Sequence, residues 1–128
     1  MKNPDDIKYT KSHEWVRVEG NTATVGITKF AVDQLGDVTL VELPAMGETV
    51  TAGDGMGTIE SVKAVSDLYA PINGTVCARN DALEEKPELV NDDCFGAGWM
   101  VKVELAEESG VDALMDAATY DEYLDSLD

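Results

Sequence analysis

The stretch GETVTAGDGMGTIESVKAVSDLYAPINGTVC, residues 47–77, decides the fold. Gly47, Gly53, Gly55, Gly57, Pro71 and Gly74 fall within 28 residues and separate short apolar runs: Thr49-Val50, Met56 to Ile59, Val62 to Leu68 and Thr75 to Cys77. Glycine supplies positive φ and proline fixes φ while removing a donor, so this density breaks the chain into turns. Strands of a few residues at such spacing build a small antiparallel barrel or sandwich. No periodic segment between them is long enough for the crossover helix that a parallel pair needs.

Upstream, Trp15-Val16-Arg17-Val18-Glu19 alternates, with Val16 and Val18 on one face. Thr22 to Ile27 does the same with Ala23, Val25 and Ile27, and Gly20-Asn21 joins the two as a hairpin with one buried face. Thr28 is placed to cap a short helix carrying Ala31 and Leu35, and Gly36 to end it. Val38 to Leu43 resumes strand character and stops at Pro44. Downstream, Asn80 can cap a helical turn through Glu85, which Pro87 forbids from extending. Gly98 to Leu105 reads as the last strand, with Trp99, Val101, Val103 and Leu105 sharing a face. Val111, Leu114, Met115 and Ala118 then recur at helical spacing after Ser109, an N-cap. Thr119-x-x-Glu122 offers a capping box where the helix restarts or kinks, and Tyr120, Tyr123, Leu124 and Leu127 form its second stripe. The expectation is a mainly β protein, a small barrel-sandwich hybrid of antiparallel strands with short helices and a C-terminal amphipathic helix. One domain spans 1–128, with a core over about 7–105 and a helical segment over about 110–126.

Composition limits the function. Aromatics are 6% of the chain against 44% hydrophobic residues in all, so the core is expected to be mostly aliphatic. Nine Lys+Arg against 26 Asp+Glu give a net charge of −17. Phosphate backbones and anionic lipid surfaces repel such a protein, which excludes nucleic acid and membrane as partners of a basic face. No apolar run approaches the ~20 residues of a membrane span. Met1 to Asp6 shows neither an apolar signal core nor an Arg-rich transit pattern, so a cytoplasmic location is expected. Two distant cysteines, Cys77 and Cys94, and one histidine make no metal site. That histidine, His13, precedes Glu14; neighbours on a strand point to opposite faces, so the two are not expected to act as an acid–base pair. No catalytic set can be built, and the protein reads as a non-enzyme.

Lys63 is one of seven lysines and lies between two strand-like runs, Thr58 to Val62 and Ala64 to Leu68. A lysine at a hairpin tip carries its amine outward on a stiff stalk. An acylating enzyme needs that geometry to find one lysine among several. Residues 41–76 resemble the carrier domains that bear lipoyl or biotinyl groups: Val41-Glu42-Leu43-Pro44, then Gly47-x-x-Val50-x-x-Gly53, then the lysine, then Ala70-Pro71-Ile72-Asn73-Gly74-Thr75-Val76. Biotin carriers flank their lysine with methionines, whereas Val62 and Ala64 here favour lipoate. The phrase Glu60-Ser61-Val62-Lys63-Ala64-Val65-Ser66-Asp67 is similar to that of the H-protein family of the glycine cleavage system. The resemblance runs over roughly residues 7 to 125. It includes Lys8 to Val16, Ala23 to Thr28, Gln34 to Val38, Pro87 to Asn91 and Gly98-Trp99-Met100. Cys94 and Phe95 depart from the family's usual proline and tyrosine.

The resemblance implies a lipoyl-domain-like fold and a shuttle protein with lipoate in amide linkage on Lys63. Glu60, Ser61, Val62 and Ala64 would then be read by lipoyl-attaching enzymes. An aminomethyl group would pass from glycine decarboxylase (P protein) to aminomethyltransferase (T protein), and dihydrolipoyl dehydrogenase (L protein) would reoxidise the dithiol. Ser12, Glu14 and Asp67 stand where the family's cleft holds the cargo's amine. The carrier is expected to be a monomer. A lipoyl relay serving other lipoyl domains and a biotin carrier domain stay open as alternatives. The acidity fits steering toward electropositive partner clefts and fits a salt-rich cytoplasm equally well. Like charges on such a surface repel, and salt screens them. On the salt-rich reading the thermal unfolding midpoint is expected to rise between about 0.1 and 1 M salt, where the screening length falls from roughly 10 to 3 Å; a midpoint flat with salt argues against that reading.

Overall fold

The Gly20-Asn21 turn behaves as a two-residue hairpin loop should. Gly20 takes φ 63° at the first central position, and Glu19 pairs with Thr22. The structure is a computed structural model that describes residues 4–127. Its strands are β1 (Lys8–Tyr9), β2 (Glu14–Glu19), β3 (Thr22–Ile27), β4 (Val38–Glu42), β5 (Thr49–Val50), β6 (Gly55–Ser61), β7 (Val65–Tyr69), β8 (Gly74–Arg79) and β9 (Val101–Leu105). The helices are α1 (Lys29–Leu35) between β3 and β4, the short α2 (Ala82–Glu85) and α3 (Leu89–Asp92) between β8 and β9, and α4 (Ala117–Ser126) at the end. All strand pairings are antiparallel, in two open sheets ordered β1-β2-β3-β9-β8-β5 and β4-β6-β7. Both sheets feed one hydrophobic cluster, in which Val25, Val103 and Val76 of the larger meet Ile59 and Leu68 of the smaller. The turn-dense middle of the sequence thus produces the mainly β architecture that its punctuation requires.

α1 forms between the signals read for it. Thr28 Oγ1 accepts the Ala31 N–H, and Gly36 closes the helix with its own N–H on the Val32 carbonyl. Val32 and Leu35 face the core. The β2–β3 hairpin departs from the one-sided expectation: β3 is covered on both faces, while Val18, near the turn, is 40% exposed. The cause is Trp15. Its indole lies over Gly26, its cross-strand partner, and donates to the Cys94 carbonyl at 2.9 Å. Arg17 sits over the same ring and donates to the Phe95 carbonyl at 3.1 Å. At Cys94 and Phe95, then, the main chain makes these contacts, and main-chain carbonyls tolerate the change of side chain.

Three local expectations are corrected. Asn80 does not cap α2 with its side chain; its buried amide donates to the Ala97 and Trp99 carbonyls, where two otherwise unpaired acceptors need it. α3, a single turn, was not anticipated. The tail is not one helix from Ser109. Residues 111–113 make a 3₁₀ turn, Leu114 is extended, and Met115 exchanges both backbone hydrogen bonds with Tyr9. That bridge competes with the helix, which starts only after Asp116 has capped the Thr119 N–H at 2.8 Å. Thr119 is therefore interior to α4 and Ser109 caps no α-helix. Tyr120 stacks on Tyr9 with centroids 4.6 Å apart, fixing α4 to β1. A Cβ on Gly26 would lie 2.7 Å from three indole atoms of Trp15. Gly26→Ala is expected to cost roughly 1–3 kcal/mol by overpacking, lowering the thermal midpoint by several degrees; an unchanged midpoint contradicts the packing described.

Candidate functional site

The tip between β6 and β7 is a four-residue turn locked at both ends. The Ser61 N–H donates to the Ala64 carbonyl at 2.8 Å, and Ser61 Oγ both accepts the Ala64 N–H and donates to the Ala64 carbonyl. Val62 N–H reaches across to the Asp37 carbonyl at 3.2 Å, tying the tip to the link between α1 and β4. Ser61 and the main chain thus do the work that Gly or Asn does in other tight turns. Val62 is 72% exposed and Lys63 and Ala64 are exposed beside it. The lysine does not stand free. Its side chain runs along Gly36, where a Cβ would lie 3.2 Å from Cε. Gly36 has φ 76° and ψ −149°, a region essentially closed to other residues. Asn91 of α3 braces the same corner, donating to the Gly36 carbonyl and accepting the Val38 N–H.

Beneath the tip lies a cleft of about 310 Å³. Ser12, His13 and Glu14 line one end, α1 contributes Ala31, Gln34 and Leu35, and the hairpin contributes Ala64 to Asp67. Ile27 and Ile59 add apolar surface. Glu14 is 1% exposed. Its Oε1 accepts from Ser12 Oγ at 2.5 Å and Thr10 Oγ1 at 2.7 Å, and its Oε2 accepts the Tyr69 N–H at 3.4 Å. All three donors are neutral, and among the described residues no lysine or arginine pairs with this carboxylate. Burial pushes its pKa above the ordinary carboxylate value, and the hydrogen bonds from Ser12, Thr10 and Tyr69 pull only partly back. Asp67 lines the same cleft but is exposed, and its Oδ2 accepts from the Tyr69 hydroxyl at 3.4 Å. Glu60 is half-buried on β6, where its carbonyl accepts from Thr39 Oγ1.

His13 corrects the sequence reading. It has φ 71° and precedes the first strand residue, so strand alternation does not apply and it lines the cleft together with Glu14. It makes no hydrogen bond to Glu14. Its Nδ1 lies 2.8 Å from the Tyr120 hydroxyl, which lies 2.8 Å from Thr28 Oγ1. Thr28 also accepts the helix-capping N–H of Ala31, so the two hydroxyls and the imidazole form one chain from α1 to α4. Burial lowers the His13 pKa and pushes that of Tyr120 up to about 12. The sequence reading also missed Thr10, whose Oγ1 takes the Glu14 N–H as well as holding its carboxylate. A hydroxyl four residues before a buried acid was the available signal. The Tyr69 N–H left none.

An exposed lysine on a pinned hairpin, over an apolar cleft that ends at an unpaired buried carboxylate, has the arrangement of a carrier for a covalently held group. Comparison with known proteins narrows the class. Residues 7–127 match the family described as Glycine cleavage H-protein. A probable glycine cleavage system H protein of Haloarcula marismortui is 57% identical over 117 residues, covering 91% of this chain and 92% of that one. The glycine cleavage system H protein of Listeria monocytogenes is 50% identical over 125 residues, covering 98% and 100%. The crystal structure of a glycine cleavage system H protein from Mycobacterium marinum gives a TM-score of 0.86 at 40% identity, covering 94% of this chain and 97% of that one. The chain belongs to the glycine cleavage H-protein family. Among the described residues no helix is long and apolar enough to cross a membrane.

A carboxylate whose folded pKa is raised adds stability below its unfolded pKa, near 4.3, and that contribution is lost as pH rises through the folded value. Glu14→Gln keeps the shape without the charge. Its unfolding free energy relative to wild type is therefore expected to increase from about pH 4 upward and to level off above the raised pKa. Urea denaturation at a series of pH values measures this; a difference that falls with pH contradicts the assigned direction.

Proposed function

We propose that this protein is the lipoyl-bearing shuttle of a glycine cleavage system, with Lys63 as the attachment point and Glu14 as the anchor for the loaded cargo. The observation that carries the reading is the buried Glu14 carboxylate, which neutral donors alone hold at the end of a cleft overhung by the Lys63 hairpin. Buried charges are ordinarily paired. This one is short of a cation, and an aminomethyl group brings an ammonium. The cleft suits the rest of the arm, because Ile27, Leu35, Ile59 and Ala31 offer apolar lining to an aliphatic chain. When bound, lipoate supplies a disulfide that opens on taking glycine's aminomethyl carbon, one sulfur forming the S–C bond and the other becoming a thiol as carbon dioxide leaves.

The chain's own residues do the rest. Amide formation removes the Lys63 charge and so releases the side chain from the Gly36 corner, where the carboxyl end of α1 favours a cation. Ser12 and Thr10 aim the Glu14 carboxylate, and burial strengthens its pairing with an arriving ammonium while excluding water. Asp67, exposed at the cleft, assists at lower strength. Glu60, Ser61, Val62 and Ala64 present the turn to lipoyl-attaching enzymes. Glycine decarboxylase, aminomethyltransferase and dihydrolipoyl dehydrogenase are the partners that load, unload and reoxidise. The whole chain acts as one carrier domain, a cytoplasmic monomer whose acidic surface steers brief encounters with electropositive clefts.

Incubation with lipoate, ATP and a lipoate ligase is expected to add one lipoyl mass, which peptide mapping places on Lys63 and Lys63→Ala abolishes. An increment that survives Lys63→Ala, a biotinyl increment on the native protein, or none at all contradicts the reading. Once the arm is loaded, Glu14→Ala is expected to shorten the lifetime of the aminomethyl group by about 10- to 100-fold, the equivalent of a charged hydrogen bond worth roughly 1.5–3 kcal/mol. Equal lifetimes remove Glu14 from the role.

A further inference from the structure

Beside the lysine turn the ladder between β4 and β6 is interrupted. Val38 pairs with Ser61 and Leu40 with Glu60, so Thr39 is an extra residue in β4. A bulge drops its residue from the ladder and bends the strand. The end of β4 nearest the turn therefore needs support from elsewhere, and α3 provides it. Asn91 Oδ1 accepts the Val38 N–H at 2.9 Å, and Asn91 Nδ2 donates to the Gly36 carbonyl at 2.8 Å. The two bonds straddle Asp37, so the side-chain amide grips the link between α1 and β4 as a peptide group of a neighbouring strand would. A side chain of this length that offers one donor and one acceptor in a fork is an asparagine's. α3 is itself fixed: Val90 is fully buried, and Gly98 lies so close that a Cβ there would meet the Leu89 carbonyl and the Val90 Cα within 3 Å.

The gripped link carries the lysine in two ways. The Asp37 carbonyl accepts the Val62 N–H at 3.2 Å, and the Lys63 stem runs over Gly36. Val62 and Lys63 are both exposed, so no core packing holds the tip. The Ser61–Ala64 bonds close the turn on itself. What sets it against the body at this corner are its contacts to residues 36 and 37, whose own positions depend on Asn91. The stretch Pro87 to Asn91 thus acts on a lysine nearly thirty residues away in sequence without touching it.

We infer that Asn91 is a positioning residue for the acylation of Lys63: through residues 36–38 it holds the acceptor turn in the one placement that an attaching enzyme binds. This rests on Lys63 being the lipoylated residue. The test is the initial rate of lipoylation by lipoate ligase, with lipoate and ATP saturating and the full-length protein varied. In that reaction lipoate and ATP give lipoyl adenylate and pyrophosphate. The free amine of Lys63 attacks the acyl carbon, the N–C bond forms, the bond from acyl carbon to phosphate oxygen breaks, AMP leaves and the nitrogen gives up a proton. Asn91→Ala and Asn91→Leu, the second of which keeps the size of the side chain, are each expected to raise KM for this protein about tenfold and to leave kcat unchanged, because a loosened acceptor costs binding rather than chemistry. In both variants the Val62 N–H is expected to exchange faster while the Ser61 N–H, bonded within the turn, does not change. A KM equal to that of wild type, or a fall in kcat alone, overturns the role of Asn91 and leaves Lys63 as the attachment point. The wild-type protein tests the same link without a variant: its Val62 N–H is expected to exchange at least about tenfold more slowly than an unprotected amide of that sequence, and an unprotected Val62 overturns the link. Wild-type protein that gains no lipoyl group on Lys63 overturns both readings.

Discussion

The site depends on one carboxylate that has been taken out of water without a cation. Glu14 is buried at the start of β2, and its oxygens are filled by two hydroxyls and one backbone N–H. Desolvating a carboxylate costs several kcal/mol, and neutral hydrogen bonds recover only part of that. A protein selected for stability alone would place an apolar residue or a glutamine there. In the function proposed for this protein the carboxylate is half of a pair whose other half arrives and leaves. The cleft it closes joins apolar lining from Ile27, Ala31, Leu35 and Ile59 to polar groups, and of its two carboxylates Glu14 is the buried one and Asp67 the exposed one.

The scaffold around that carboxylate is built for reach at one end and fixity at the other. The lysine hairpin is exposed, yet it is held by the Ser61–Ala64 turn, by the Val62 bond to Asp37 and by the Gly36 corner that Asn91 braces. At the opposite end, Tyr120 locks α4 to Tyr9 by stacking and to His13 and Thr28 through its hydroxyl. The same His13 carries a left-handed backbone that lets Ser12 and Glu14 turn into one cleft. The tail thus supports the carboxylate end of the cleft from a distance of more than 100 residues in sequence.

Legibility followed the range of the forces involved. The β2–β3 hairpin, α1 between Thr28 and Gly36, and the β6–β7 hairpin were readable because caps, turns and alternation act over a few residues. Resemblance at Glu60 to Asp67 pointed to Lys63, and the structure places that residue on an exposed turn above the cleft. What escaped was decided across the fold. The tail pattern at Val111, Leu114 and Met115 has a helical period, yet its Met115 pairs with Tyr9, a contact no local rule foresees. Asn80 looked like a cap but spends its amide on carbonyls nearly twenty residues away. Strand alternation fails for His13 because the strand starts only at Glu14 and His13, before it, has a left-handed backbone that no local pattern announces.

The most direct measurement is the ionisation of Glu14 itself, followed by carbon NMR of its carboxyl in the lipoylated protein before and after the aminomethyl group is loaded. The account predicts a pKa above the ordinary carboxylate range in the unloaded protein and a marked fall on loading, because the ammonium favours the charged form. A carboxyl that titrates identically in both states would contradict it, since no cation would then be reaching the residue around which the site is built.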